Sequence, residues 1–170
     1  MRSTLAAALA AAGCLAAAPA QAQDAHAVLI NPDGKEIGNI AVFEVAQGVR
    51  IVAEAAELPA GVHAFHIHET GQCEPPDFES AGGHYNPTDK QHGWDNPEGP
   101  HASDFANVHV HDDGQLAIEY FTSAVTLGAG ETTLFDDDGS AIVMHEGADD
   151  YQTDPAGAAG PRIACGVIAK

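Results

Sequence analysis

The sequence predicts an all-β domain, with eight antiparallel strands in a closed or sandwich-like arrangement and two long loops that carry the functional residues. Three observations predict it. Short runs of alternating or β-branched residues recur along the chain, each bounded by Gly, Pro, Asn or Asp turn chemistry. No stretch of convincing length repeats with the helical period. Two segments, Glu69 to Ala106 and Gly147 to Pro161, have no strand pattern, and structureless loops of that length are uncommon unless they do something.

The elements follow in order. Met1 to Ala22 reads as a secretory signal: Arg2 gives a positive start, Leu5 to Ala18 an apolar run, and Ala20-Gln21-Ala22 a small-residue cleavage site. The run is too short for a comfortable membrane span. Ala12-Gly13-Cys14 resembles the end of a lipoprotein signal, but Ala11 stands where such signals carry a larger aliphatic residue, so cleavage ranks above lipid attachment. Cleavage after Ala22 leaves 148 of the 170 residues as one domain, 23–170, exported and with the periplasm as its expected address. Strands are expected at Ala25 to Ile30, Ile37 to Val45, Val49 to Ala55 and Val62 to His68. They are separated by Asn31-Pro32-Asp33-Gly34, Gln47-Gly48 and Pro59-Ala60-Gly61. Further strands are expected at Asn107 to His111, Gln115 to Phe121, Ala141 to His145 and Arg162 to Ile168, with turns at Asp112-Asp113-Gly114 and Asp136-Asp137-Asp138-Gly139.

Charge excludes two partner classes. Without Arg2 the chain has five Lys plus Arg against 25 Asp plus Glu, a formal −20, which argues against nucleic acid or an anionic membrane surface. Cys14 leaves with the signal, so Cys73 and Cys165 can form one intramolecular bridge in a compartment that permits it; two free buried thiols are the alternative. A bridge would pin the long loop after the His-rich strand to the last strand.

Ten histidines are a surplus in so acidic a chain, and they cluster. His66 and His68 lie two apart in a strand, where side chains share a face and can hold one ion; a polar strand face is the alternative. His84, His92, His101 and Asp104 lie in the long loop, and three imidazoles with one carboxylate match the tetrahedral preference of zinc. Solvated surface histidines would not explain His145, which a strand should deliver to the same region.

These blocks resemble a known family. Gly61-Val62-His63-Ala64-Phe65-His66-Ile67-His68-Glu69, Gly82-Gly83-His84-Tyr85-Asn86-Pro87, Val143-Met144-His145-Glu146-Gly147-Ala148-Asp149-Asp150 and Gly160-Pro161-Arg162-Ile163-Ala164-Cys165-Gly166-Val167-Ile168 are similar to the signature blocks of copper/zinc superoxide dismutases. They occur in the family's order and cover nearly all of the mature chain. Cys73-Glu74-Pro75-Pro76-Asp77-Phe78 looks like the shorter loop of bacterial members. The resemblance implies an eight-stranded antiparallel Greek-key barrel or sandwich with one copper and one zinc per chain, dismutating superoxide to oxygen and hydrogen peroxide. Copper would be held by His66, His68, His84 and His145, and zinc by His84, His92, His101 and Asp104, with His84 serving both ions. A tetragonal set of imidazoles suits Cu(II), and an N₃O set suits Zn(II). His84 and Arg162 would be the catalytic pair, Arg162 attracting a small anion beside the copper channel. Asp149 would orient a ligand histidine on each side.

Four histidines stand outside this scheme. His63 is an odd number of residues from His66, faces away in an unbroken strand and is expected to make structural hydrogen bonds. His109 and His111 are expected at the surface, and His26 is expected to be flexible. The segment Tyr151 to Pro161 departs from eukaryotic members, having no lysine or arginine to guide substrate. The rival functions are a non-catalytic exported copper-binding or copper-delivery protein of the same fold, which would lack a copper ligand or Arg162, and a zinc-stabilised adhesion domain, which would not need His66, His68 and His145.

Overall fold

The computed structural model describes residues 24–170. The signal expected over 1–22, with Cys14, lies outside the described residues. Among the described residues no helix is long and apolar enough to cross a membrane.

Alternation places each strand. In β1 (Ala25–Ile30) Ala25, Ala27 and Leu29 turn inward, and in β3 (Gly48–Ala55) Val49, Ile51, Ala53 and Ala55 do the same while their neighbours meet solvent. β2 (Glu36–Val45) lies between them, antiparallel to both. The β2–β3 turn depends on Gly48, whose φ is 145° and where a Cβ would stand 2.1 Å from the Thr122 carbonyl oxygen. With β4 (Gly61–His63), β5 (Phe65–His68), β6 (Val108–Val110), β7 (Leu116–Thr122), β8 (Ala141–His145) and β9 (Arg162–Val167), the chain forms two sheets. One has the order β5-β8-β9-β1-β2-β3-β7, the other is β4-β6. β8 returns over a long connection to lie between β5 and β9, a Greek-key return. The small sheet joins the two edges of the large one, since β4 runs into β5 through Ala64 and β6 turns tightly into β7.

Ala64 is where the expected strand Val62 to His68 divides. Its N–H donates to the Gly147 carbonyl and its carbonyl accepts from the His145 N–H, so the chain changes sheets at this residue and the eight expected strands become nine segments. A second correction concerns His26. Its main chain exchanges two 2.8 Å hydrogen bonds with Ala169, so it is a fixed strand residue with an exposed side chain rather than a flexible one. A third long connection, between β7 and β8, was not expected; Val125, Leu127 and Leu134 bury themselves in the core, and the Glu44 carboxylate accepts from the Leu127 N–H at 2.6 Å.

β5 and β8 are buried on both faces. Phe65, Ile67, Ile142 and Met144 face the barrel core. On the outer face Ala141, Val143 and Cys165 are covered by Phe78 and Ala81 from the first long loop. Burying Phe78 contributes about 1.5–3 kcal/mol toward keeping that loop on the wall. The Cys73–Cys165 disulfide fastens the same loop covalently, with Cα atoms 5.7 Å apart. Loop segments also pair as isolated bridges with β5, His66 with Asp104 and His68 with His84, which brings the remaining histidines over its outer face.

Candidate metal centre

Two groups of four donors meet over the outer face of β5 and share one residue. His66, His68, His84 and His145 form the first, and His84, His92, His101 and Asp104 the second; within each group the donor atoms lie within 4.8 Å of one another, and every residue is buried. Thus β5 supplies His66 and His68, its ladder neighbour β8 supplies His145, and the first long loop supplies the rest.

In the first group each imidazole has one nitrogen tied down. His66 Nε2–H donates to Asp149 Oδ2 at 2.8 Å, His68 Nδ1–H to the Gly82 carbonyl at 2.9 Å, and His145 Nδ1–H to the Gly160 carbonyl at 3.0 Å. A neutral imidazole has one N–H, so these bonds fix the tautomer and leave the other nitrogen as a bare lone pair. Those other nitrogens, His66 Nδ1, His68 Nε2 and His145 Nε2, together with His84 Nε2, are buried without a partner. Orphaned buried acceptors are costly, and four converging ones fit a cation. Burial lowers all four pKa values: His68 falls to about 2, and His84 and His145 to about 4, the neighbouring imidazoles adding to the effect. Each is therefore neutral at pH 7 and able to ligate.

The second group is tighter. Asp104 Oδ1 lies 3.1 Å from His84 Nδ1, 3.2 Å from His92 Nδ1 and 3.3 Å from His101 Nδ1, and the His84 and His101 Nδ1 atoms are 3.3 Å apart. Ligands at about 2.0–2.1 Å from a tetrahedral ion stand about 3.3–3.4 Å from each other, so these distances are the edges of a zinc-sized tetrahedron. The other Asp104 oxygen accepts from the Gly93 and His101 main-chain N–H groups, which aim the carboxylate. Burial raises the Asp104 pKa, but hydrogen bonds from His101, His84 and His92 outweigh it and hold it far below the usual carboxylate range. Burial likewise lowers His92, yet Asp104 and Asp149 lift it to about 9, so an incoming metal must displace a proton there.

Asp149 stands between the groups, accepting from His66 Nε2 through one oxygen and from His92 Nε2, at 2.9 Å, through the other. Arg162 lies at the rim, its guanidinium donating to the carbonyls of Phe78 and Gly82 at 2.5 and 2.6 Å. Gly82 therefore accepts from both His68 and Arg162. Burial lowers the Arg162 pKa against the opposing pull of Glu79 and Asp77, which line a groove with it beside Pro76, Gly160 and Pro161.

The structure leaves the other histidines outside. His63 is buried, with Nδ1 3.0 Å from the His145 carbonyl and Nε2 2.8 Å from that of Pro59, while His109 on β6 and His111 just beyond it are exposed. Two contributors were not read from sequence. Asn107, expected as the first residue of a strand, precedes β6, and its side chain brackets the main chain of Asp149 with bonds of 2.8 and 2.9 Å. Gly157 has a φ of 64°, and a Cβ there would stand 2.0 Å from Asp149 Oδ1 and 2.8 Å from His92 Nε2. No local pattern marks either residue.

Comparison with known proteins agrees with this geometry. The family model for copper/zinc superoxide dismutase matches residues 37–168. Superoxide dismutase [Cu-Zn] 1 of Aquifex aeolicus is 49% identical over 151 residues, covering 88% of this chain and 89% of its own. Among solved structures, a double mutant of a SOD-like protein from Bacillus subtilis superposes with a TM-score of 0.82 at 43% identity, covering 85% of this chain and 97% of that one. The Cu/Zn superoxide dismutase of Brucella abortus gives 0.68 at 27% identity, covering 85% and 99%. Four imidazoles beside an N₃O tetrahedron, on a fold and sequence shared to this extent, mean that the chain belongs to the copper/zinc superoxide dismutase family.

Proposed function

We propose that His66, His68, His84 and His145 hold copper, that His84, His92, His101 and Asp104 hold zinc, and that Arg162 and His84 serve the reaction of the family. The family's activity is the dismutation of superoxide to oxygen and hydrogen peroxide with copper and zinc as cofactors, and the chain is an enzyme of that kind. The observations that carry the residue assignment are the four buried, unpartnered ring nitrogens of the first group, His66 Nδ1, His68 Nε2, His84 Nε2 and His145 Nε2, and the convergence of the His84, His92 and His101 Nδ1 atoms on one Asp104 oxygen in the second.

When bound, copper supplies the one-electron chemistry and zinc a fixed positive charge. The chain does the rest. Gly82 and Gly160 carbonyls and Asp149 hold three imidazoles in the tautomer that faces inward. His84 offers Nδ1 to one group and Nε2 to the other, so Nε2 is the buried atom at which a proton can be held and handed to departing peroxide. Arg162, fixed by two carbonyls, presents positive charge to an arriving anion.

The unit so read is residues 23–170, exported after cleavage of 1–22; the Cys73–Cys165 bridge supports an oxidising compartment, and the periplasm is the address that fits a cleaved signal. The copper-delivery alternative is not favoured, since four imidazoles and Arg162 are all in place. The test is metal content with activity. His145→Ala should lose copper and dismutation while keeping zinc, and Asp104→Ala should lose zinc first. Equal depletion of both metals by each substitution would overturn the division into two ligand sets.

A further inference from the structure

We propose that Trp94 and Tyr151 form a clasp between the two long loops that positions the Asp149 carboxylate, and through it His66 and His92. The inference rests on the metal assignment above and extends it to two residues that belong to neither donor group.

Trp94 is the single tryptophan of the chain, two residues beyond His92 and half exposed. Its ring lies parallel to that of Tyr151, 5.4 Å between centroids and 7° between planes. A half-exposed indole is not needed to fill the core, so its contact must be sought in what Tyr151 does.

Tyr151 has a φ of 61°, a left-handed conformation that is strained for a bulky side chain and persists only where surrounding contacts over-determine it. Those contacts all converge on the metal centre. The Tyr151 N–H donates to Asp149 Oδ1 at 2.7 Å, the oxygen that also accepts from His92 Nε2. Its hydroxyl oxygen accepts from the Asn107 N–H at 2.9 Å, and Asn107 brackets the Asp149 main chain. Its carbonyl accepts from the Asp95 N–H at 2.9 Å, and a Cβ on Gly93 would stand 2.1 Å from that carbonyl oxygen. Residues 93 to 95 are therefore packed directly against residue 151, and the stacked rings close this contact from the solvent side. With the rings apart, the left-handed conformation at Tyr151 is held by these hydrogen bonds alone; the backbone gains freedom, and the N–H aimed at Asp149 is held less firmly.

Trp94 and Tyr151 are positioning residues, so the test reads the metals rather than folding. In protein loaded with copper and zinc, Trp94→Ala is expected to speed zinc transfer to a chelator by about three- to tenfold, the range a lost aromatic pair gives, and to change the copper EPR hyperfine splitting through His66. Trp94→Phe, which keeps a ring, should restore most of both. Should Trp94→Ala fail to fold, Tyr151→Phe removes only the hydroxyl acceptor and should shift zinc release in the same direction. In the unaltered holoprotein, withdrawing zinc should shift the emission of Trp94. Unchanged zinc release and an unchanged EPR spectrum in Trp94→Ala would overturn the clasp while leaving the metal assignment standing. If the unaltered protein itself failed to take up one copper and one zinc, the metal assignment would fall, and the clasp with it.

Discussion

Raising salt is expected to leave the rate of superoxide capture flat or to raise it, and neutralising two carboxylates should raise it further. The described residues hold five cationic and 25 acidic side chains, a formal −20. A chain of this length has a radius of gyration of about 15 Å, equivalent to a sphere of roughly 19 Å radius. Charge of that size repels a monovalent anion at the surface by about 4 kcal/mol in unscreened water. Debye lengths of about 30 and 10 Å reduce this to about 2.7 kcal/mol at 0.01 M salt and about 1.5 kcal/mol at 0.1 M. The difference caps the acceleration at about sevenfold. Salt also weakens the local attraction of Arg162, so the net change is expected between none and about twofold. The groove beside Arg162 sharpens the point: it is lined by Asp77 and Glu79 but by no lysine, while Lys35 and Arg50 pair with Glu57 and Glu119. At a separation of about 10 Å each carboxylate slows an anion about twofold, so Asp77→Asn with Glu79→Gln should gain about fourfold at low salt. Pulse radiolysis of the metal-loaded protein at several ionic strengths is the assay. A steep fall in rate between 0.01 and 0.1 M, or no gain in the double variant, would refute the reasoning.

Three further outcomes follow from the geometry. Reducing the Cys73–Cys165 bridge frees a 92-residue loop, which the chain-entropy model values at about 4–5 kcal/mol; urea midpoints should show a large loss, and one under about 1 kcal/mol would reject that model here. Activity should fall with it, because the freed loop carries the Phe78 and Gly82 carbonyls that hold Arg162. Gly157→Ala should displace Asp149, costing about 1–3 kcal/mol and weakening zinc retention; unaltered metal affinity would show that the loop absorbs the methyl group. In metal-free protein, His84 and His145, near 4, stay neutral where unfolded imidazoles near 6.5 take up protons, so stability present above 6.5 is lost as pH falls towards 4. His92, near 9, acts oppositely, its contribution being lost as pH rises through 9. A urea midpoint that rose between pH 6.5 and 4.5 would contradict this.

The strands were legible because alternation and turn residues are local. Ala25, Ala27 and Leu29 alternate inward without reference to anything distant. The break at Ala64 was not, since nothing in Val62 to His68 marks a change of sheet; it arises from hydrogen bonds to Gly147 and His145, more than eighty residues away. The same run shows why a polar strand face was a fair alternative for His66 and His68. Their alternation with Phe65 and Ile67 signals one face against the core, but only the folded loops bury the other. Metal-type side chains announce themselves by spacing and chemistry, whereas their supports are carbonyls, an asparagine and a missing methyl group. Gly82, Gly160, Asn107 and Gly157 act through position alone, which the sequence does not display.

The two halves of the centre rest on supports of different stiffness. His66, His68 and His145 stand on adjacent ladder strands, and His84 is stitched to β5 through its bridge with His68. His92 and His101 sit where the chain has no ladder at all. Amides of the ladder are expected to exchange with solvent only when the whole barrel opens, whereas those around His92 and His101 are expected to exchange through small local excursions. On the proposed assignment, copper would be kept by the global stability of the barrel and zinc by a loop that opens locally, so mild heating is expected to release zinc well before the barrel melts.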